Sequence, residues 1–179
     1  MLEAAASTLA ATACVQPLPH RSLVSLIAFR GKAEALNTAL GVTLPITPRR
    51  ITENATTYLW SGPNAWLAFS ANPLRIEYLA AKAANLAAIT DQSDGHFLIR
   101  VTGPHARAAL AKLVPVDLHE SAFPPDAVAI TLAAHIGVKI WREDEGFVLA
   151  CFRSFAGALH HALLEAIAEF ETQLPEIRG

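Results

Sequence analysis

Charge is scarce in this chain of 179 residues. Charged side chains make up 17% of it and hydrophobic ones 53%, where about 25% charged is usual. A chain short of charge has little with which to cover its outside, which points to surface hidden against a partner. Basic clusters are lacking too. Arg49-Arg50 is the single adjacent basic pair and the net charge is -2, so a nucleic-acid partner has little support. Only two cysteines are present, Cys14 and Cys151. They have neither CxxC nor metal-ligand spacing, which argues against a disulfide framework or a zinc site. Cys151 sits in an apolar run and reads as a core residue. A reducing, cytoplasmic setting is the default for such a chain.

Phosphate cradles are missing: neither GxGxxG nor GxxxxGK[ST] occurs. No apolar run has the length and character to span a bilayer. The opening stretch MLEAAASTLAATACVQPLP carries Glu3, and no Lys or Arg precedes Arg21, unlike a secretory signal with its positive start. It reads as a loose arm or short helix ended by Pro17 and Pro19.

What is present is periodicity, twice over. Strands are expected at Leu23 to Phe29, Thr56 to Trp60 and Ala65 to Ser70, with helices from Lys32 to Leu40 and from Pro73 onward. The first helix would bury Ala33, Leu36, Ala39 and Leu40, with Gly41 as its cap. The second would bury Ile76, Leu79, Ala83 and Leu86. Residues 42–54 read as a loop, and Ala87 to Thr90 as a closing strand.

The second half repeats the order. Phe97, Ile99 and Val101 alternate on a strand, Gly103-Pro104 opens a helix with Ala106, Ala109, Leu110 and Leu113 inside, and Val116 to Pro125 is a loop. Val128, Ile130 and Leu132 alternate next, then Val138 and Ile140, a charged turn Arg142 to Gly146, and a return strand Phe147 to Phe152. Ser154 is placed to cap a last helix with a stripe of Phe155, Leu159, Leu163, Ala166 and Phe170. The fold class is therefore α+β: two ferredoxin-like, split βαβ halves, each an antiparallel sheet covered by helices. The divisions are an N-terminal arm at 1–20, a first half at 21–90, a second half at 91–172 and a tail at 173–179, in one compact unit.

Several residues invite chemistry. His119, with Asp117 and Glu120 in its loop, has the composition of a general base. His161 and Glu165 meet at i, i+4, but HHALLE is not the HExxH of a zinc helix. His135 reads as a strand-end or core histidine. Gly103-Pro104 before a helix offers amides to an anion, or simply starts the helix. Trp60, Trp66 and Trp141 fall on strands, as core or as interface anchors, and Trp66 beside Leu67 and Phe69 looks packed. Exposed aromatics on the strands, or the loop Ala122 to Pro125, are candidate anchors for a partner. No residue is assigned a catalytic, cofactor or metal role.

The segments TDQSDGHFLIRVTGPHARAALAKLVPVDLH, FPPDAV and CFRSFAGALHHAL resemble, in order and spacing, the sarcosine oxidase gamma subunit family. The resemblance covers Ser22 to Phe170 and is clearer in the second half. It implies a fold similar to the folate-binding part of glycine-cleavage aminomethyltransferase, without that enzyme's acidic catalytic motif or its further β-barrel domain. It also implies a non-catalytic structural subunit. Its partners would be alpha, beta and delta subunits, which carry FAD, FMN, NAD and zinc, with no cofactor on this chain. The assembled enzyme would oxidise sarcosine to glycine and hydrogen peroxide and pass the one-carbon unit to tetrahydrofolate. The alternatives are a stand-alone folate- or pterin-binding protein of the same fold, and an enzyme with a dispersed site near His119. The iron–sulfur-maintenance relatives carry Lys-Gly-Cys-Tyr, a context neither cysteine here has.

Overall fold

A computed structural model describes residues 14–19, 22–143 and 146–171. Most of the N-terminal arm, the tail at 173–179 and the centre of the turn after Arg142 lie outside the described residues. In chain order the elements are β1 (Cys14–Pro17), β2 (Ser22–Ala28), α1 (Ala33–Leu40), β3 (Arg50–Glu53), β4 (Thr56–Gly62), β5 (Ala65–Ser70), α2 (Pro73–Ala83), β6 (Ala87–Asp91), β7 (His96–Thr102), α3 (Ala106–Leu113), β8 (Val128–Ala133), β9 (Ile136–Glu143), β10 (Gly146–Phe152) and α4 (Ala156–Glu171).

The strands form two five-stranded sheets, β3-β4-β5-β2-β6 and β1-β7-β10-β9-β8. Every neighbouring pair runs antiparallel. Laid over each other, the two orders match strand for strand. Strand β2 corresponds to β7, β5 to β10, β4 to β9 and β3 to β8. The place that β6 fills beside β2 is filled beside β7 by β1, from the other end of the chain. Each sheet thus keeps the split βαβ order and adds one edge strand.

Two expectations change here. Residues 14–17 are not a loose arm: they pair with β7, Val15 opposite Val101, and Leu18 N–H continues the contact to the Leu98 carbonyl at 2.9 Å. The stretch 42–54 is not all loop. Ile51 pairs with Tyr58, and Asn54 and Ala55, both at positive φ, make the turn between them. That backbone is what a tight two-residue hairpin demands.

Alternation along the strands builds three layers of core. Val24, Leu26 and Ala28 face α1 and α2, against Leu36, Leu40, Leu79 and Ala83. Ile99, Val101, Ile140 and Leu149 face α3 and α4, against Leu110, Leu159, Leu163 and Ile167. The opposite sheet faces meet each other, Leu23, Leu59, Leu67 and Phe69 against Leu98, Val128, Trp141 and Val148. The order is helices, sheet, sheet, helices. A central strand such as β10 is therefore buried on both faces, from Gly146 through Cys151, and reads as a continuous apolar run.

Local details depart from the sequence reading. Leu86 lies past the end of α2, beyond a turn with Asn85 at positive φ. Pro104 and His105 form a turn, and α3 begins only at Ala106. Ser154 lies inside a 3₁₀ turn, Arg153–Phe155, that precedes α4, so it does not cap that helix, and Phe155 is exposed. His135 is neither strand-end nor core: with Ala134 it forms the positive-φ tip of the β8–β9 hairpin and is exposed.

Candidate functional site

Three places bring polar side chains together. The first is the loop after α3. The Asp117 carboxylate accepts the His119 backbone N–H at 2.8 Å. The Ser121 hydroxyl lies 2.8 Å from His119 Nδ1, and the Ser121 backbone N–H donates to the same nitrogen at 3.3 Å. Sequence reasoning found no nucleophile near His119. The His-x-Ser spacing was the available signal. The pair nevertheless closes a turn. Nδ1 is engaged by the backbone amide as well as the hydroxyl, and an activated serine needs an oriented base and oxyanion donors besides. The turn's other product is Phe123, whose N–H bonds the His119 carbonyl at 2.7 Å and whose ring is buried. In the loop Ala122 to Pro125, the aromatic residue is therefore core and not a partner anchor.

The second place is a cleft of about 710 Å³ under the start of α3. Arg107 and Arg142 both donate to Glu120 Oε1, at 3.1 Å and 3.4 Å. The Gly103-Pro104 turn lines it. Both guanidinium groups reach the same carboxylate oxygen while the buried Arg107 Nε keeps no hydrogen-bond partner, and ion pairs to a solvent-exposed carboxylate contribute little to stability. His161 and Glu165 meet at 3.2 Å on the outer side of α4, both exposed. Among the described residues no group of three His, Cys, Asp or Glu side chains gathers as metal ligands would.

The third place was not singled out from the sequence. The inter-sheet face of the second sheet extends past the cover of the first. There β7, β10, β9 and β8 present His96, Phe152, Lys139, Ile130 and Leu132. The pairs His96–Phe152 and Lys139–Ile130 are opposite in the register, and the His96 and Phe152 rings lie 5.1 Å apart. His96 is buried and its Nδ1 has no hydrogen-bond partner. Arg153 ties the rim, donating to the Asp94 carbonyl at 2.7 Å and the His96 carbonyl at 3.3 Å.

Burial, and then the positive charge of Lys139, hold the His96 imidazole below its ordinary value. Burial lowers the Lys139 ammonium in the same direction, and raises the Cys151 thiol. The consequence for His96 has a definite sign. As pH falls through about 6.5 the unfolded chain takes up a proton on this histidine before the folded chain does, so stability falls with pH there. Denaturant titrations at pH 7.5 and 5.5 should show a larger loss for the native chain than for His96→Leu. Equal losses would mean that the imidazole is not held neutral in the fold.

The fold and these surfaces describe a two-sheet α+β protein with a partly uncovered sheet face. The sarcosine oxidase, gamma subunit family matches residues 27–169, and the chain belongs to that family. It is 30% identical over 148 residues to sarcosine oxidase subunit gamma of Corynebacterium sp. (strain P-1), across 81% of this chain and 72% of that one. It is 33% identical over 142 residues to the Arthrobacter subunit gamma, across 76% and 70%. Among solved structures it resembles a chain of the heterotetrameric sarcosine oxidase from Corynebacterium sp. U-96 in complex with pyrrole 2-carboxylate. The TM-score is 0.81 at 26% identity, covering 92% of this chain and 87% of that one. The glycine cleavage system aminomethyltransferase T from Bartonella henselae shares the fold, with TM-score 0.62 at 20% identity over 86% of this chain and 46% of that one.

Proposed function

We propose that this chain is the non-catalytic, structural gamma subunit of a heterotetrameric sarcosine oxidase, assembled with alpha, beta and delta subunits. The observation that carries the reading is family membership over residues 27–169. The fold shared with a chain of a solved heterotetramer supports it. So do the low charge share and side-chain clusters that close on themselves rather than on a substrate. In this reading the complex demethylates sarcosine oxidatively to glycine and passes the one-carbon unit to tetrahydrofolate. FAD, FMN, NAD and zinc reside on the partner subunits, in the cytoplasm.

A stand-alone folate- or pterin-binding role is the second reading, favoured by the fold shared with the aminomethyltransferase. The cleft under the start of α3 works against it, because the carboxylate that lines it among the described residues, Glu120, is already held by two arginines. The test is sarcosine-dependent hydrogen peroxide formation, measured for the chain alone and for partner subunits with and without it. The chain alone should give no turnover and no flavin absorbance. Turnover by the isolated chain, or tight folate binding in a titration without partners, would overturn the reading.

A further inference from the structure

We propose that the free edge of β8 docks an extended segment of a partner subunit, which adds to the second sheet as a further strand and brings a carboxylate to Lys139. The inference deepens the subunit reading above and rests on it. The two sheets have four edges: β3 and β6 in one, β1 and β8 in the other. Proteins ordinarily guard such edges with charge, proline or brevity. Strand β3 is four residues long and carries Arg50 and Glu53. Strand β6 ends in Asp91, and β1 is four residues ending in Pro17. Strand β8 has none of these guards. It is six residues, VAITLA, without charge or proline.

Its backbone is open for pairing beyond Val128, where residues 48–50 stop covering it. The Val128 N–H points away from β9, to the Pro48 carbonyl at 3.1 Å. Because the backbone groups of an antiparallel strand alternate between its two sides, Ile130 and Leu132 also direct their N–H and C=O outward. Among the described residues no hydrogen bond outside the ladders uses them. Ile130 and Leu132 are 50% and 49% exposed, and Phe152 on the same face is 58% exposed. Exposed apolar side chains beside an unpaired edge are what strand addition uses for affinity and specificity.

Two hollows border the edge. A cleft of about 620 Å³ lies between residues 111–115, at the end of α3, and Leu132, Ala134 and His135. A depression of about 170 Å³ lies over Gly137, walled by Ile130, Lys139 and Phe152. Leu132 borders the first and Ile130 the second, so the face that carries both offers room to every second side chain of an added strand.

Charge selects the occupant. Lys139 has no carboxylate partner among the described residues, and its surroundings disfavour the ammonium. A desolvated cation is costly unless paired. A second copy adding its own β8 would bring no carboxylate, since VAITLA contains none. A partner segment with apolar residues and one Asp or Glu satisfies edge, face and charge together.

The test is assembly of the whole complex, with the chain co-expressed beside tagged alpha, beta and delta subunits and its retention followed on dilution. Variants with both Ile130→Lys and Leu132→Lys, or with Lys139→Glu alone, should bind at least tenfold more weakly. Lys139→Arg and the β6-edge control Ala88→Lys should stay within twofold. If the double variant misfolds by circular dichroism, Lys139→Glu decides. Native-like affinity of these β8 and Lys139 variants overturns the docking site and leaves the subunit reading intact. Failure of the unmodified chain to assemble overturns both. Self-association of the chain that the β8 variants abolish, with partner binding unchanged, assigns the edge to a second copy and also overturns the proposal.

Discussion

Trp141→Ala should destabilise the protein by about 3–5 kcal/mol, the usual cost of emptying a large buried aromatic site. Trp141 is 1% exposed at the meeting of the two sheets. Its ring centre lies 5.6 Å from that of Phe69 on the other sheet, tilted by 38°, a favourable aromatic arrangement. Truncation opens a void that both sheets line and neither can close without moving as a whole. The indole N–H has no hydrogen-bond partner, so its removal forfeits none, and a buried donor without a partner is itself unfavourable. Trp141→Phe should therefore lose clearly less than Trp141→Ala. Urea unfolding measures both. A loss below about 1 kcal/mol for the alanine variant would mean that the sheets do not pack face to face there.

Leu163→Ala should cost about 2–5 kcal/mol by the same mechanism on the other side of the sheet. Leu163 is 1% exposed on α4, in the core that holds Leu110, Leu159 and Ile167. Its neighbour Leu164 points outward, so Leu164→Ala should stay within about 0.5 kcal/mol. This contrast fixes the rotation of α4. If Leu164 proved the costly position, the helix would be turned by about 100° from where its 3.6-residue period puts it. Leu163 and Trp141 occupy different cores, so their effects should add within about 0.5 kcal/mol.

Much of this architecture is legible in the sequence because the forces that build it are local and periodic. Leu36 and Leu40 share one helical face, and Leu159, Leu163 and Ala166 another, and all are buried. The closing strand at residues 87–91 was readable from its apolar start after a helix. What failed depends on distant partners. Strand β1 has one branched apolar residue, Val15, and a proline, and only its pairing with β7 makes it a strand. Strand β3 has one apolar residue in four. Its hairpin turn uses Ala55 at positive φ, where glycine would have announced it.

The alternation of Val128, Ile130 and Leu132 was equally plain. It shows a common face but not what covers it. The first sheet reaches Val128 and stops short of Ile130 and Leu132. For the same reason His96 and Lys139 drew no notice in the sequence. They come together only because β10 lies between their two strands in the sheet, which no spacing rule encodes. His119 shows a different limit. Its acidic neighbours suggested a base, and the contact that the folded loop makes at Nδ1 is with the Ser121 hydroxyl and backbone N–H.

The proposed role is that of a built-in subunit. Size-exclusion chromatography of the chain co-expressed with alpha, beta and delta subunits should give one peak containing all four in equal amounts, with an assembly of lower mass and impaired sarcosine oxidation when this chain is left out. Separate elution of the chain, with sarcosine oxidation intact in its absence, would show that it is no part of the assembly.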